Sequence, residues 1–210
     1  MLKITIINYF QGNLSSIKNC VSQNFKNYKL NITNSIKDLK KADIIILPGV
    51  GRFSTGIKSL KKLGLFDYLK NLPSNKLLIG ICLGMQILTK KSEEDPDCQG
   101  LGLIDAETKK FDLKKVGKIP KIGASETYVS KNYKNFSRFD KKNFFFTHSF
   151  YVSLNKSEQN HLLFKTKYNN FHFCSGFIKK NVIGVQFHPE LSRNNGSLLY
   201  KSLFDLKKKY

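Results

Sequence analysis

Residues 76–86 read "KLLIGICLGMQ". After Lys76 the run to Ile81 holds no polar side chain, which predicts a strand over 76–81 covered on both faces. Residues 83–91 follow with helical spacing, so the chain must turn sharply at Cys82. Gly80 and Gly84 flank that cysteine as G-x-C-x-G, the thiol counterpart of the G-x-S-x-G nucleophile elbow. Glycines relieve crowding in such a turn and let the side chain project outward. The start of a helix favours a thiolate, and the amide of Leu83 is placed to donate to an oxyanion. A plainer reading competes: a small buried cysteine at a helix start.

Outward from this stretch, strands and helices alternate. "KITIIN" (3–8) and "ADIIILPGVG" (42–51) are apolar strands, the second breaking at Pro48 and Gly49. Leu14, Ile17, Val21 and Phe25 mark a helix over 14–25, and a second helical pattern runs from Thr55 to Leu72, interrupted near Gly64. Continuous apolar strands between helices argue a parallel sheet. From Leu101 the texture changes. "SETYVS", "NFFFTHSFYVS", "FHFCSGF" and "NVIGVQF" read as successive strands, before a last helix over 195–208. The expectation is one α/β domain over residues 1–210. It has a mainly parallel central sheet flanked by helices, with additional antiparallel strands in the C-terminal half.

The 210 residues are enough for one domain with a full core. The formal charge of +21 invites a nucleic-acid reading. Yet the cations are 33 Lys and 3 Arg, scattered along the chain beside 19 Asn. Lysine and asparagine share A/T-rich codons, and arginine, which grips phosphate bidentately, is scarce. A solvated lysine-rich surface is the favoured reading, with no nucleic-acid partner. No run approaches the length of a membrane span. "MLKITIINYF" reads as a strand rather than a targeting segment, so the expected address is cytoplasmic. Cys20, Cys82, Cys98 and Cys174 show neither disulfide-framework nor zinc spacing, and neither a metal nor a cofactor is expected.

Far from Cys82, "VIGVQFHPEL" (182–191) is an apolar strand ending in His188-Pro189-Glu190. A cysteine nucleophile needs a base, and the base needs an orienting group. His188 suits the first role. Glu190, two residues on, would face the same side in extended geometry. "LPGVG" (47–51) supplies a third strand end, whose glycines let amides point at a developing negative charge. Strand ends on one side of a parallel sheet form the ligand crevice.

The motifs P-G-x-G, G-x-C-x-G-x-Q and H-P-E resemble those of class I, triad-type glutamine amidotransferases. "GNLSSI", "LPGVGRFSTGIKSLKKLGL", "GICLGMQIL", "KSEE", "GLGLI", "FFFTHSFYV" and "GVQFHPELS" resemble, in order and spacing, the glutaminase subunit of imidazole glycerol phosphate synthase. The resemblance covers essentially the whole chain and implies a flavodoxin-like fold. It implies a Cys82, His188 and Glu190 triad, oxyanion donors at Val50, Gly51 and Leu83, and glutamine contacts from Gln86, Glu94, His148 and Ser149. For His148, a polar residue merely ending an aromatic strand is an equal reading. The implied activity is cleavage of L-glutamine to glutamate and ammonia. The ammonia would pass to a (β/α)₈-barrel synthase in a heterodimer of histidine biosynthesis.

Several positions depart from that pattern. Asn8 stands for the usual Asp, Phe10-Gln11 for Gly-Met, Leu191 for Lys, and "PKIGAS" (120–125) for P-H-M-G-W-N. Ala124 thus replaces a tryptophan that faces the synthase in relatives. A paralogue feeding ammonia to a sugar amidotransferase through its own barrel is the alternative. A self-contained hydrolase on the same fold finds less support, since such enzymes need no partner loop like "GNLSS". A non-catalytic module would predict a broken triad.

Overall fold

Continuous apolar runs build the centre of the sheet. In the computed structural model, which describes residues 1–24 and 28–209, the chain begins with β1 (Leu2–Ile7), α1 (Leu14–Asn24), β2 (Tyr28–Thr33) and a short α2 (Ile36–Leu39). β3 (Ile44–Leu47), α3 (Phe53–Lys62), α4 (Leu65–Lys70) and β4 (Leu77–Ile81) follow. The strands pair in parallel in the order β2-β1-β3-β4. Ile44, Ile46, Leu77 and Ile79 pack into one core cluster, and Ile45, Leu47 and Leu78 into another. Both sheet faces are therefore covered, as an unalternating apolar strand requires. Each fully buried Ile or Leu side chain contributes about 1.5–3 kcal/mol of transfer free energy.

After β4 come α5 (Leu83–Ile87), the hairpin β5 (Lys91–Ser92) and β6 (Asp95–Gln99), then β7 (Ala106–Lys110) and α6 (Leu113–Val116). β8 (Lys121–Val129), β9 (Lys142–His148), β10 (Phe150–Leu154), β11 (Leu162–Tyr168), β12 (Phe171–Lys179) and β13 (Val182–Val185) complete the strands, and α7 (Arg193–Asp205) packs last. β13 lies parallel beside β4, with Val185 opposite Ile81. Beyond β13 the sheet continues mostly antiparallel through β12, β10 and β7. The expected α/β architecture, parallel first and antiparallel later, is what the chain adopts. The pairing of β4 with β13 matters most, because residues leaving both strands emerge at the same sheet end.

Three local expectations differ. The helix after Cys82 stops at Ile87 instead of Lys91. Amides of the 101–103 segment take the carbonyls that would continue it: Leu101 donates to Ile87 (2.8 Å), Leu103 to Leu88 (2.9 Å) and Gly102 to Thr89 (3.0 Å). Second, "NFFFTHSFYVS" is two strands. β9 pairs with β8 while β10 pairs with β7 and β12, so the chain switches partners at Ser149. Third, the helical pattern at 55–72 begins earlier, at Phe53, and breaks at Gly64 as expected, while the edge strand β2, whose "YKLNIT" alternates apolar and polar residues, is not among the expected strands. The last helix ends at Asp205 and passes into a 3₁₀ turn. Phe25, placed on the first helix by its spacing, lies outside the described residues. No helix among the described residues is long and apolar enough to cross a membrane.

Candidate active site

Cys82 leaves β4 with φ 53° and ψ −111°, a left-handed conformation that costs a non-glycine residue energy. The turn is held by Cys82 N–H donating to Val185 O (2.8 Å) on β13 and by Gln86 N–H donating to Cys82 O (3.2 Å). Gly84 permits it: a Cβ there would collide with the Leu47 carbonyl of β3. The glycine spacing around Cys82 thus reflects close backbone approach as well as a strained turn.

His188 follows β13. Its amide donates to Phe145 O (2.8 Å), bridging to β9. Glu190 is not extended, as the H-x-E spacing suggested; it sits in a 3₁₀ turn, Pro189–Leu191. The result is the same pairing by another route, with His188 Nδ1 2.8 Å from Glu190 Oε1 and both side chains almost fully buried. Two features that sequence reasoning missed fix this turn. Ser192 Oγ donates to His188 O (2.6 Å) and accepts from Phe145 N–H (3.0 Å). Gly196 lets α7 press on the turn, since a Cβ there would overlap the Pro189 carbonyl.

Electrostatics define the pair. Burial opposes a charge on His188, but Cys82 and Glu190 together outweigh it and raise the imidazole to about 10. His188 Nε2 makes no hydrogen bond of good geometry among the described residues, although the Cys82 sulfur is its electrostatic neighbour. Such catalytic contacts are commonly loose before substrate binds.

Val50, Gly51, Cys82, Leu83, Gln86, Glu94, His148 and Ser149 all line one cleft of about 470 Å³, with Pro120, Thr147 and Phe150. His188 and Glu190 are not among the residues of the cleft wall. Leu83 N–H is already engaged, donating to Gly49 O at 3.3 Å. The Tyr9 hydroxyl, buried and kept protonated by burial and by the neighbouring Cys82 charge, holds the adjacent Pro48 carbonyl at 2.6 Å. The expected Leu83 oxyanion donor is therefore occupied in this conformation of the glycine loop.

Glu94 has a second duty besides lining the cleft. Its Oε2 accepts from Phe53 N–H (2.8 Å) and Asp95 Oδ2 from Ser54 N–H (2.9 Å), so the β5–β6 hairpin caps α3. Arg52 grips Asp95 and, with the Ser54 amide, holds its carboxyl at about 2 despite an opposing desolvation effect. These caps fix the exit of the P-G-V-G loop.

His148 is buried and driven to about 3, chiefly by burial, with Lys121 and His188 adding to the effect and its bond to Phe150 O opposing it. The neutral ring points Nδ1 at Phe150 O (2.7 Å). Since a carbonyl only accepts, Nδ1 carries the proton and Nε2 is left as an acceptor without a partner among the described residues. The same Phe150 carbonyl accepts from Gln86 Nε2 at 2.9 Å. Gln186, overlooked in the apolar run "VIGVQF", lies behind Gln86, fully buried. A polar residue inside an otherwise apolar strand end was the available signal, because a buried amide must find partners. Among the described residues no group of His, Cys, Asp and Glu is arranged to hold a metal ion.

A strained cysteine elbow at the end of one strand and a buried His–Glu pair just after its parallel neighbour give the arrangement expected of a triad-type amidotransferase. The family model "Glutamine amidotransferase class-I" matches residues 5–206, and the chain belongs to that family. Within it, the chain is 41% identical over 202 residues to imidazole glycerol phosphate synthase subunit HisH 2 of Methanococcus maripaludis, covering 95% of this chain and 97% of that one. It is 37% identical over 210 residues to subunit HisH 1 of Campylobacter jejuni, covering 97% and 100%. A crystal structure of a glutamine amidotransferase superposes with a TM-score of 0.75 at 17% identity, over 97% of this chain and 98% of that one, and shows the same fold.

Proposed function

We propose that this chain, read as one glutaminase domain, is the ammonia-supplying subunit of a cytoplasmic imidazole glycerol phosphate synthase in histidine biosynthesis. The observation that carries the chemistry is the Cys82 elbow on β4 beside the His188–Glu190 pair, 2.8 Å apart, after β13. The Cys82 thiolate attacks the side-chain amide carbon of L-glutamine. His188 gives its proton to the leaving nitrogen, and ammonia departs. His188 then takes a proton from water, whose hydroxide attacks the thioester. The C–S bond breaks with its electron pair returning to sulfur, and glutamate is released. Glu190 orients His188 and balances the imidazolium. Gln86, Glu94, His148 and Ser149 would hold glutamine in the cleft, and Leu83 with Val50 and Gly51 would bind the oxyanion once the loop rearranges. The sugar-amidotransferase alternative is not favoured, since the relatives matched over nearly their full length are synthase subunits.

The partner is read as a (β/α)₈ barrel docked over the cleft. Phe10, Val50, Ile122 and Leu191 are large apolar side chains left exposed at the ends of β1, β3 and β13 and at the start of β8. Such a surface is the kind a subunit contact covers. Ala124 lines a concavity of about 840 Å³ beside Leu191 and Arg193, with room for a bulky partner side chain. The test of the function is Cys82→Ala, assayed with the barrel subunit and its acceptor. Glutamine hydrolysis should fall by about 10⁴-fold or more, and an electrophilic glutamine analogue should label only Cys82 in the parent chain. Near-normal hydrolysis by Cys82→Ala would refute the assignment.

A further inference from the structure

We infer that the Gln186 side-chain amide is a further catalytic group, a non-titrating donor that holds the Cys82 sulfur as thiolate and aims it. This rests on the reading of Cys82 as the nucleophile. Gln186 is fully buried and is absent from the walls of the cleft, so it has no place in holding substrate. Its Nε2 lies 3.8 Å from Cys82 Sγ, within reach for a sulfur acceptor.

The direction of that amide follows from a chain of donors with a fixed end. Phe150 O can only accept, so the Gln86 atom 2.9 Å from it is Nε2. Gln86 Nε2 also reaches Gln186 at 3.2 Å, so the atom it meets there must be Oε1. Gln186 therefore turns its NH₂ toward Cys82. The polarity starts at a backbone carbonyl and ends at the reacting sulfur.

The donor fills a need that α5 leaves open. That helix has only five residues, too few to supply the N-terminal field expected from a longer one. His188 carries charge but must exchange its proton in each half-reaction. An amide N–H keeps its proton throughout. It supports the thiolate before attack and again when sulfur leaves the thioester.

The test is alkylation of Cys82 by iodoacetamide across pH, with site-resolved mass spectrometry separating it from the other three cysteines. Gln186→Met keeps the volume and removes the donor. Gln186→Glu keeps the acceptor toward Gln86 and, when ionised, opposes the thiolate. Alkylation at pH 7 should slow about tenfold in Gln186→Met, with the midpoint of the profile about one pH unit higher, and more in Gln186→Glu. In the complex with its barrel, kcat for glutamine should fall about tenfold in Gln186→Met while KM stays within about twofold. Circular dichroism and Tm report folding. If Gln186→Met does not fold, the Gln186→Glu profile decides. An unchanged alkylation profile and kcat in the folded variant would overturn the inference. It would do so with Cys82→Ala still inactive, whereas an active Cys82→Ala would instead overturn the assignment of the nucleophile.

Discussion

Docking of the proposed barrel partner should switch on this glutaminase, and the structure sets the size of the effect. In the free chain Leu83 N–H donates to Gly49 O at 3.3 Å, while Tyr9 pins the neighbouring Pro48 carbonyl at 2.6 Å. An oxyanion formed at Cys82 would find its nearest donor taken. Releasing the Leu83 amide costs one neutral hydrogen bond, about 1 kcal/mol. Each donor then aimed at the oxyanion contributes about 2.7–4 kcal/mol. Recruiting Leu83 and one amide of the Val50–Gly51 segment therefore nets about 4–7 kcal/mol, a rise in kcat of about 10³–10⁵-fold. The assay is glutamate release at saturating glutamine, for the chain alone and with barrel and acceptor. Tyr9→Phe removes the 2.6 Å tether and should raise the basal rate of the free chain about fivefold, shrinking the stimulation. Turnover by the free chain within about threefold of the complex would refute the reasoning, because the blocked donor would then be irrelevant to the rate.

Other outcomes follow from named contacts. In Glu190→Gln, His188 loses one of the two neighbours that raise it against burial, so the imidazole loses its proton at lower pH and the alkaline limb of the pH–rate profile should move down. The same group sets a stability window. A folded value raised from the ordinary 6.5 to about 10 stabilises the fold fully below about 6.5 and is lost as pH rises through about 10, so urea unfolding should show the parent–variant gap closing across that range. Asp95→Asn should lower Tm at pH 7 by weakening the α3 cap. Since the Asp95 carboxyl is depressed to about 2, that difference should narrow as pH falls from 4 toward 2. Ala124→Trp should fold normally, because the position is exposed, yet weaken the affinity of the cognate barrel by about 2 kcal/mol or more, read by titration calorimetry.

Much of this was legible in the sequence, for reasons that particular residues show. "IIIL" and "LLIGI" must be buried on both faces, and that alone implies the parallel core. Cys82 between two glycines at a strand end implies a turn, and the turn implies exposure to a cleft. The legible signals were those in which one residue type has few uses. Glu190 was placed correctly for the wrong reason: its side chain reaches His188 from a 3₁₀ turn, which the pair's spacing does not specify. The end of α5 at Ile87 was hidden, because its carbonyls are taken by amides from a loop many residues later. The switch at Ser149 is hidden likewise, since an aromatic-rich run with no Gly or Pro inside it looks like one strand. Gln186 could have been found by asking what a buried amide bonds to. Ser192 and Gly196 carried no such mark; their roles exist only when α7 meets β9.

The Phe150 carbonyl carries a consequence of a different kind. It accepts from both His148 and Gln86, and through Gln86 it orients Gln186. Being main chain, it is present whatever side chain stands at 150, so a point substitution that leaves β10 in place cannot remove it. What can remove it is a change of spacing. One residue inserted beside Ser149 would rotate the carbonyl away, freeing the His148 tautomer, the Gln86 amide and the Gln186 donor together. The carbonyl's role is therefore indifferent to which side chain stands at 150 and intolerant of altered length, and an insertion scan through 148–150 should show an abrupt loss of hydrolysis where Phe150→Tyr or Phe150→Leu keeps the carbonyl and its two donors in place.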